Sequence, residues 1–179
     1  MKIANSLYFS ILLTVLVFSA CKPFDPDTNT PPKEVEGWAP VYAQNTDIIK
    51  ATDPQPVEHG GKIYIKGSRL YQVESGAGIH VIDISQPENP VKLKFIQVAG
   101  CQEIAINGTI LYTNNVNDMV SIKIADLNNI AETDRKKDAF HIVDKNHPPA
   151  KGWFECIDAS KGDVIGWENK TLNYPKCLY

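Results

Sequence analysis

Ile63-Tyr64-Ile65-Lys66-Gly67-Ser68-Arg69-Leu70-Tyr71 returns 41 residues later as Ile104-Ala105-Ile106-Asn107-Gly108-Thr109-Ile110-Leu111-Tyr112. The shared pattern is I-x-I-x-G-[ST]-x-L-Y. Alternating β-branched and aromatic residues on both sides of a Gly-containing turn predict a β-hairpin in each copy, with Lys66-Gly67 and Asn107-Gly108 at the tips. Ile79 to Ile84, running into Asp83-Ile84-Ser85, answers to Val120 to Ile124 before Asp126-Leu127-Asn128. A fourth strand is read at Leu93–Val98 in the first copy and at Phe140–Val143 in the second. One unit is then about four short strands in roughly 41 residues, the size of a propeller blade. A degraded third copy is read from Phe154-Glu155-Cys156-Ile157-Asp158 through Gly162 to Asp163-Val164-Ile165-Gly166-Trp167. Helix content is small, with one or two turns between Asp126 and Ala139 and Asp126 as their cap.

Within the first unit, Gly78-Ile79-His80-Val81-Ile82-Asp83-Ile84-Ser85-Gln86-Pro87-Glu88-Asn89-Pro90 resembles the LVIVD repeat of bacterial and archaeal envelope proteins. The likeness extends over Ile63 to Leu127, and it implies propeller-like β-sheets without implying an activity. The expected fold class is therefore all-β, with blades of short antiparallel strands in an incomplete or small propeller. Residues 57–179 hold three units of 41, whereas closed propellers usually have four or more. Either the blades are unusually short, the sheets pack without closing, or a partner completes the ring. An open stack leaves edge strands through which two copies of the chain could pair as a homodimer. A β-sandwich built from the same hairpins is the alternative.

Upstream of the repeats lie two other kinds of sequence. Lys2 precedes an apolar run from Leu7 to Phe18, broken only by Ser10 and Thr14. Twelve helical residues span about 18 Å against the ~30 Å of a hydrocarbon core, so the run reads as a secretory signal over residues 1–20 and not as a membrane span. Phe18-Ser19-Ala20-Cys21 resembles the lipobox of bacterial lipoproteins, with Phe where the family usually has Leu. The resemblance implies cleavage before Cys21 and lipidation of that cysteine by a diacylglyceryl group, palmitate being among the acyl chains expected. Lys22 in place of Asp implies delivery to an outer membrane. Two or more acyl chains hold a protein stably where one does not. Residues 21–56, rich in Pro, Asp, Asn and Thr, read as a tether that cannot bury enough apolar surface to order itself.

Charge excludes some partners. The chain carries a net charge of −3, with Arg135-Lys136-Lys137 its densest basic run. That offers no footprint for nucleic acid and no basic patch for anionic lipid. With Cys21 assigned to lipid, Cys101, Cys156 and Cys177 remain in an oxidising compartment. Cys156 and Cys177 are the candidate disulfide, worth about 3 kcal/mol by the chain-entropy relation, although pairing of Cys101 with either one stays open at the level of sequence.

Candidate chemistry is thin. His141, Asp144 and His147 follow no known ligand spacing. Asn114, Asn115, Asn117 and Asp118 are oxygen-rich, but an EF-hand loop counted from Asn114 would need Gly and Glu where Met119 and Ala125 stand. Glu58-His59-Gly60-Gly61 reads as a turn, and Asp83 and Asp126 as Asx-turns. Trp38, Trp153 and Trp167 are the aromatic anchors available for a glycan or protein. With no hydrolase, metalloprotease, P-loop or dinucleotide motif, the sequence predicts a non-enzymatic, cofactor-free binding or scaffold module. It would be lipid-anchored in the cell envelope and would bind a protein or glycan. The alternatives are a propeller-type hydrolase or lyase and a purely structural envelope protein.

Overall fold

The computed structural model describes residues 30–179. The signal segment, Cys21 and the first part of the tether lie outside those residues. The described chain is all-β, with thirteen strands in three sheets, none closed into a barrel, and no α-helix.

Two of the sheets are successive antiparallel meanders. The first joins β3 (Gly60–Lys66), β4 (Arg69–Glu74), β5 (Gly78–Asp83) and β6 (Val91–Gln97), with the short β2 (Lys50–Thr52) added outside β6. The second joins β7 (Ile104–Asn107), β8 (Ile110–Asn115), β9 (Asp118–Lys123) and β10 (Ala131–Lys136). Their registers correspond strand by strand. Lys66 pairs with Arg69 and Asn107 with Ile110, so the turns are Gly67-Ser68 and Gly108-Thr109. Only the glycines take positive φ, +57° and +58°. That is the II′ arrangement, in which the first central residue must be left-handed and glycine meets no steric penalty. Lys66 and Asn107 are thus the last ladder residues and not the turn itself.

Both last strands carry the same irregularity. One residue bulges opposite Val81/Ile82 on β6, and another between Glu132 and Asp134 on β10. The fourth strand of the second unit is therefore Ala131–Lys136. Phe140–Val143, read as that strand, runs as loop, and the helical turns expected between Asp126 and Ala139 are replaced by a turn and β10. Five of the six β10 residues are exposed, so no apolar alternation is required of them. Charges on an outer edge also discourage pairing with a foreign strand.

The third sheet has a different plan. Its order is β12 (Asp163–Asn173), β1 (Glu34–Ala43), β11 (Trp153–Phe154) and β13 (Cys177–Leu178), and β1 runs parallel to β11. A meander cannot produce that order, so Phe154 to Trp167 is not a third copy of the unit. The expected tether over 21–56 contains two strands of the fold, β1 and β2, and the compact unit begins at Pro32 rather than at 57. Pro40 is tolerated in β1 because β11 pairs only at Trp38, leaving that side of the strand open at Pro40.

Tyr71, Val73, Ile79, Val81 and Ile96 from the first meander interdigitate with Ile106, Leu111, Val120 and Ile122 from the second. Most are fully buried, and this face-to-face packing is the main core. A smaller cluster, Val116, Val143 and Val164 with Tyr42 and Trp167, links the β8–β9 turn to the third sheet.

Candidate interaction surface

The polar residues that stand out in the sequence are engaged in holding the three sheets together. Asn114 is fully buried on β8. Its Oδ1 accepts from the amides of Gln102 (2.8 Å) and Glu103 (2.9 Å), and its Nδ2 donates to the carbonyls of Gly100 (2.7 Å) and Val116 (3.1 Å). Asn115 Nδ2 donates to Thr46 O and Ala99 O, and Thr46 Oγ1 donates to Asp163 of the third sheet. Asn117 binds the amides of Ile142 and Val143 and the carbonyl of Val143. Every polar atom of these amides is used on backbone or on Arg135, so the group is a joint and not an oxygen cage for calcium.

Arg135 completes the joint. It donates from Nη1 to Asn115 Oδ1 (2.7 Å) and Asp118 Oδ2 (2.9 Å), and it forms paired bonds with Glu132. The Glu132 hydrogen bonds, above all, raise the guanidinium's affinity for its proton. Burial pushes the Asp118 carboxyl up, but the Asp138 amide and Arg135 outweigh it and hold that carboxyl below its usual range. The basic run Arg135-Lys136-Lys137 therefore contributes one structural cation to this network.

A second buried polar group carries no sequence signature. Glu74 at the end of β4 and His80 on β5 lie 2.8 Å apart, both buried, with the His80 ring 4.9 Å from Phe95. The amides of Glu58 and His59 also donate to Glu74. Burial drives this carboxyl up, yet the His80 and amide hydrogen bonds together keep it below its ordinary value. The Glu58-His59 turn is thereby fixed as the end of a strap. Lys92 Nζ holds the same strap through Gln55 O at 3.0 Å. Only the fold shows that Glu74 and a strap amide meet.

The remaining candidates are dispersed. His141 is exposed, while His147 stacks on Tyr179 and sits 3.5 Å from Asp144. Among the described residues no three His, Cys, Asp or Glu side chains are grouped to hold a metal ion. Asp83 and Asp126 accept from the amides of Ser85 and Asn128, two residues on, as Asx-turns do. Trp167 donates to Asp144 O and meets Phe154 edge-on, while Trp38 and Trp153 are half-buried in β1 and β11. Cys156 and Cys177 are bonded with their Cα atoms 5.3 Å apart. Cys101 is free and buried, and burial pushes its thiol up to about 11. A groove of about 400 Å³ beside the disulfide, between Glu155 and Tyr174–Lys176, is open to solvent. Its Lys170 is already paired with Glu155 at 3.2 Å.

Among the described residues, one sheet face keeps large apolar side chains in solvent. Strand pleating places Ile63, Ile65, Leu70 and Ile82 on the face of the first meander turned away from the second. The strap covers part of this face, over Glu74, His80 and Phe95. Ile63 and Ile65 remain 56% and 60% exposed. Their repeat counterparts are Ile104, half-buried, and Ile106, 7% exposed, because the first meander lies on them. Comparison with protein-family models, curated proteins and solved structures found no match.

Branched aliphatic side chains on a rigid sheet supply desolvation energy of about 25 cal/mol per Å² covered.

Proposed function

We propose that this chain is a lipid-anchored envelope protein that works as a docking or scaffold module, built from two propeller-like blades of LVIVD type. The exposed Ile63–Ile65 pair supports the reading most directly. Two large aliphatic residues on one strand are left in solvent at positions where, one repeat later, the fold half-buries Ile104 and buries Ile106. Contiguous exposed apolar surface of this kind marks interaction sites. The Cys21 anchor would hold the module at an outer membrane, with the intervening segment setting its distance.

Two measurements test the two halves of the proposal. Alkyne-palmitate should label the chain in bacteria, and Cys21→Ser should abolish the label and release the protein from the membrane fraction. A photo-cross-linking residue at position 65 should give a discrete protein adduct, whereas the same residue at exposed Lys145 should not. Labelling that survives Cys21→Ser sinks the anchor, and no adduct at 65 sinks the docking face.

A further inference from the structure

We infer that two copies of this chain pack head to tail, the bare face of each first meander lying on the outer face of the other's second meander, so that four sheets close a ring. The inference rests on the docking face proposed above and names its occupant. Within one chain, a face carrying Tyr64, Tyr71 and Ile79 covers a face carrying Ile104, Ile106, Leu111 and Ile122. The exposed Ile63 and Ile65 and the half-buried Leu70 and Ile82 are the repeat counterparts of that second set, the offset falling from 41 to 40 after the β8–β9 turn, which is one residue shorter than the β4–β5 turn. The counterparts of the covering set, Ala105, Tyr112 and Met119, lie on the outer face of the second meander. Ala105 is exposed, and Tyr112 and Met119 are half-buried. Each chain thus presents one face of each kind, and the contact between them would continue an interface that already exists inside the chain.

Charge along the inner edge agrees with this step. Lys62 and Glu103 are repeat counterparts 41 residues apart, and they form an ion pair between the meanders. Taking the same step once more sets Glu103 beside Lys62 of the second copy, so the signs alternate Lys, Glu, Lys, Glu around the axis. A heterologous contact either closes or grows into a filament. Closure after two copies gives four sheets, the smallest usual propeller. Outer-edge pairing is a poor competitor, since β10 is charged and β2 has three residues.

The test uses the full chain in detergent, with copy number read by native mass spectrometry. Two copies per particle are expected. After mixing ¹⁵N-labelled and unlabelled protein, carbodiimide should join Lys62 to Glu103 in peptides of mixed isotope. Ile65→Asp, at an exposed position, should leave the circular dichroism unchanged and give one copy per particle. Met119→Lys, on the opposite face, should do the same. Mixing the two variants should restore two copies, because one contact of the ring is then native and the other sets Asp against Lys. A wild-type single copy, a filament, or a dimer indifferent to both variants overturns the inference. In the first case a photo-adduct at 65 with a different protein leaves the docking face standing, and its absence removes both.

Discussion

Asn114→Ala is the substitution whose cost the structure specifies most fully. The amide is 0% exposed and makes four hydrogen bonds, all to backbone, between 2.7 and 3.1 Å. Truncation leaves the amides of Gln102 and Glu103 and the carbonyls of Gly100 and Val116 without that partner. The bonds to the two carbonyls are buried, whereas the two amides belong to the exposed Gln102 and Glu103, so at about 1–3 kcal/mol per buried unpaired group the carbonyls alone imply about 2–6 kcal/mol. Water entering the vacated volume could satisfy one or two of them and lower the figure. The expected loss is about 3–5 kcal/mol, a large part of the roughly 5–15 kcal/mol that holds a domain folded.

Urea unfolding of the oxidised protein, followed by tryptophan fluorescence, measures this directly. The midpoint should fall with the slope unchanged, and the melting temperature should drop by about 10 °C, since each kcal/mol is worth roughly 2–4 °C at this chain length. Asn107→Ala is the internal control. Asn107 is exposed at the end of β7, on the same face of the same sheet, and its loss should stay within about 0.5 kcal/mol. If Asn114→Ala costs less than 1 kcal/mol, or no more than Asn107→Ala, the account of this amide as the joint of the two meanders is wrong.

Four further outcomes are expected. Because Glu74 titrates below its unfolded value in the native state, its contribution is present above the unfolded pKa and lost as pH falls through the folded one. Unfolding measured between about pH 5 and pH 3 should therefore show a shallower acid loss in Glu74→Gln, and an unchanged slope would refute the coupling. Cys156→Ser with Cys177→Ser should lower stability by about 3 kcal/mol, as expected for a 21-residue separation. In the intact protein Cys101 should resist a thiol reagent until the chain unfolds, as read by mass mapping. Val116 holds φ +56° in a two-residue turn while its side chain is buried, so Val116→Gly should be better tolerated than Val116→Ala, reversing their usual order. Alanine loses the contacts and keeps the backbone strain of about 1–3 kcal/mol, whereas glycine loses both.

What the sequence disclosed follows the locality of the forces. Each first hairpin is set by one glycine that must be left-handed and by alternating residues within nine positions of it, so both hairpins were readable. The strand β10 was not, because an edge strand with exposed residues has no apolar face to advertise. The strand β1 was hidden for another reason. Its partners, β12 and β11, begin more than a hundred residues further on, and its one proline argues locally against a strand. Glu74 and His80 were likewise unreadable, since the amides that complete their site arrive on a strap whose path depends on the finished sheet. The oxygen-rich run at 114–118 was visible as a pattern, but its backbone partners outside the run come from three separate loops.

The two Ile-x-Ile pairs make the same point at the level of function. Residues 63 and 65 match 104 and 106 in type, strand position and facing, so no local property distinguishes them. What differs is the presence of a neighbouring sheet: 7% exposure at Ile106 against 60% at Ile65. Turning a repeat's buried face into a surface costs nothing in local strand formation, because β3 pairs with β4 as β7 does with β8. The cost falls on solvation, and it is recovered only when something covers the face. On the proposed reading, an isolated chain therefore has a drive toward association at one end of the stack. The other end, where exposed Asn107 and Lys123 share the face with Ala105, Tyr112 and Met119, is more polar. That asymmetry favours a head-to-tail contact over a symmetric face-to-face one, since two bare Ile faces would meet without the Lys62–Glu103 alternation that marks the interface within the chain.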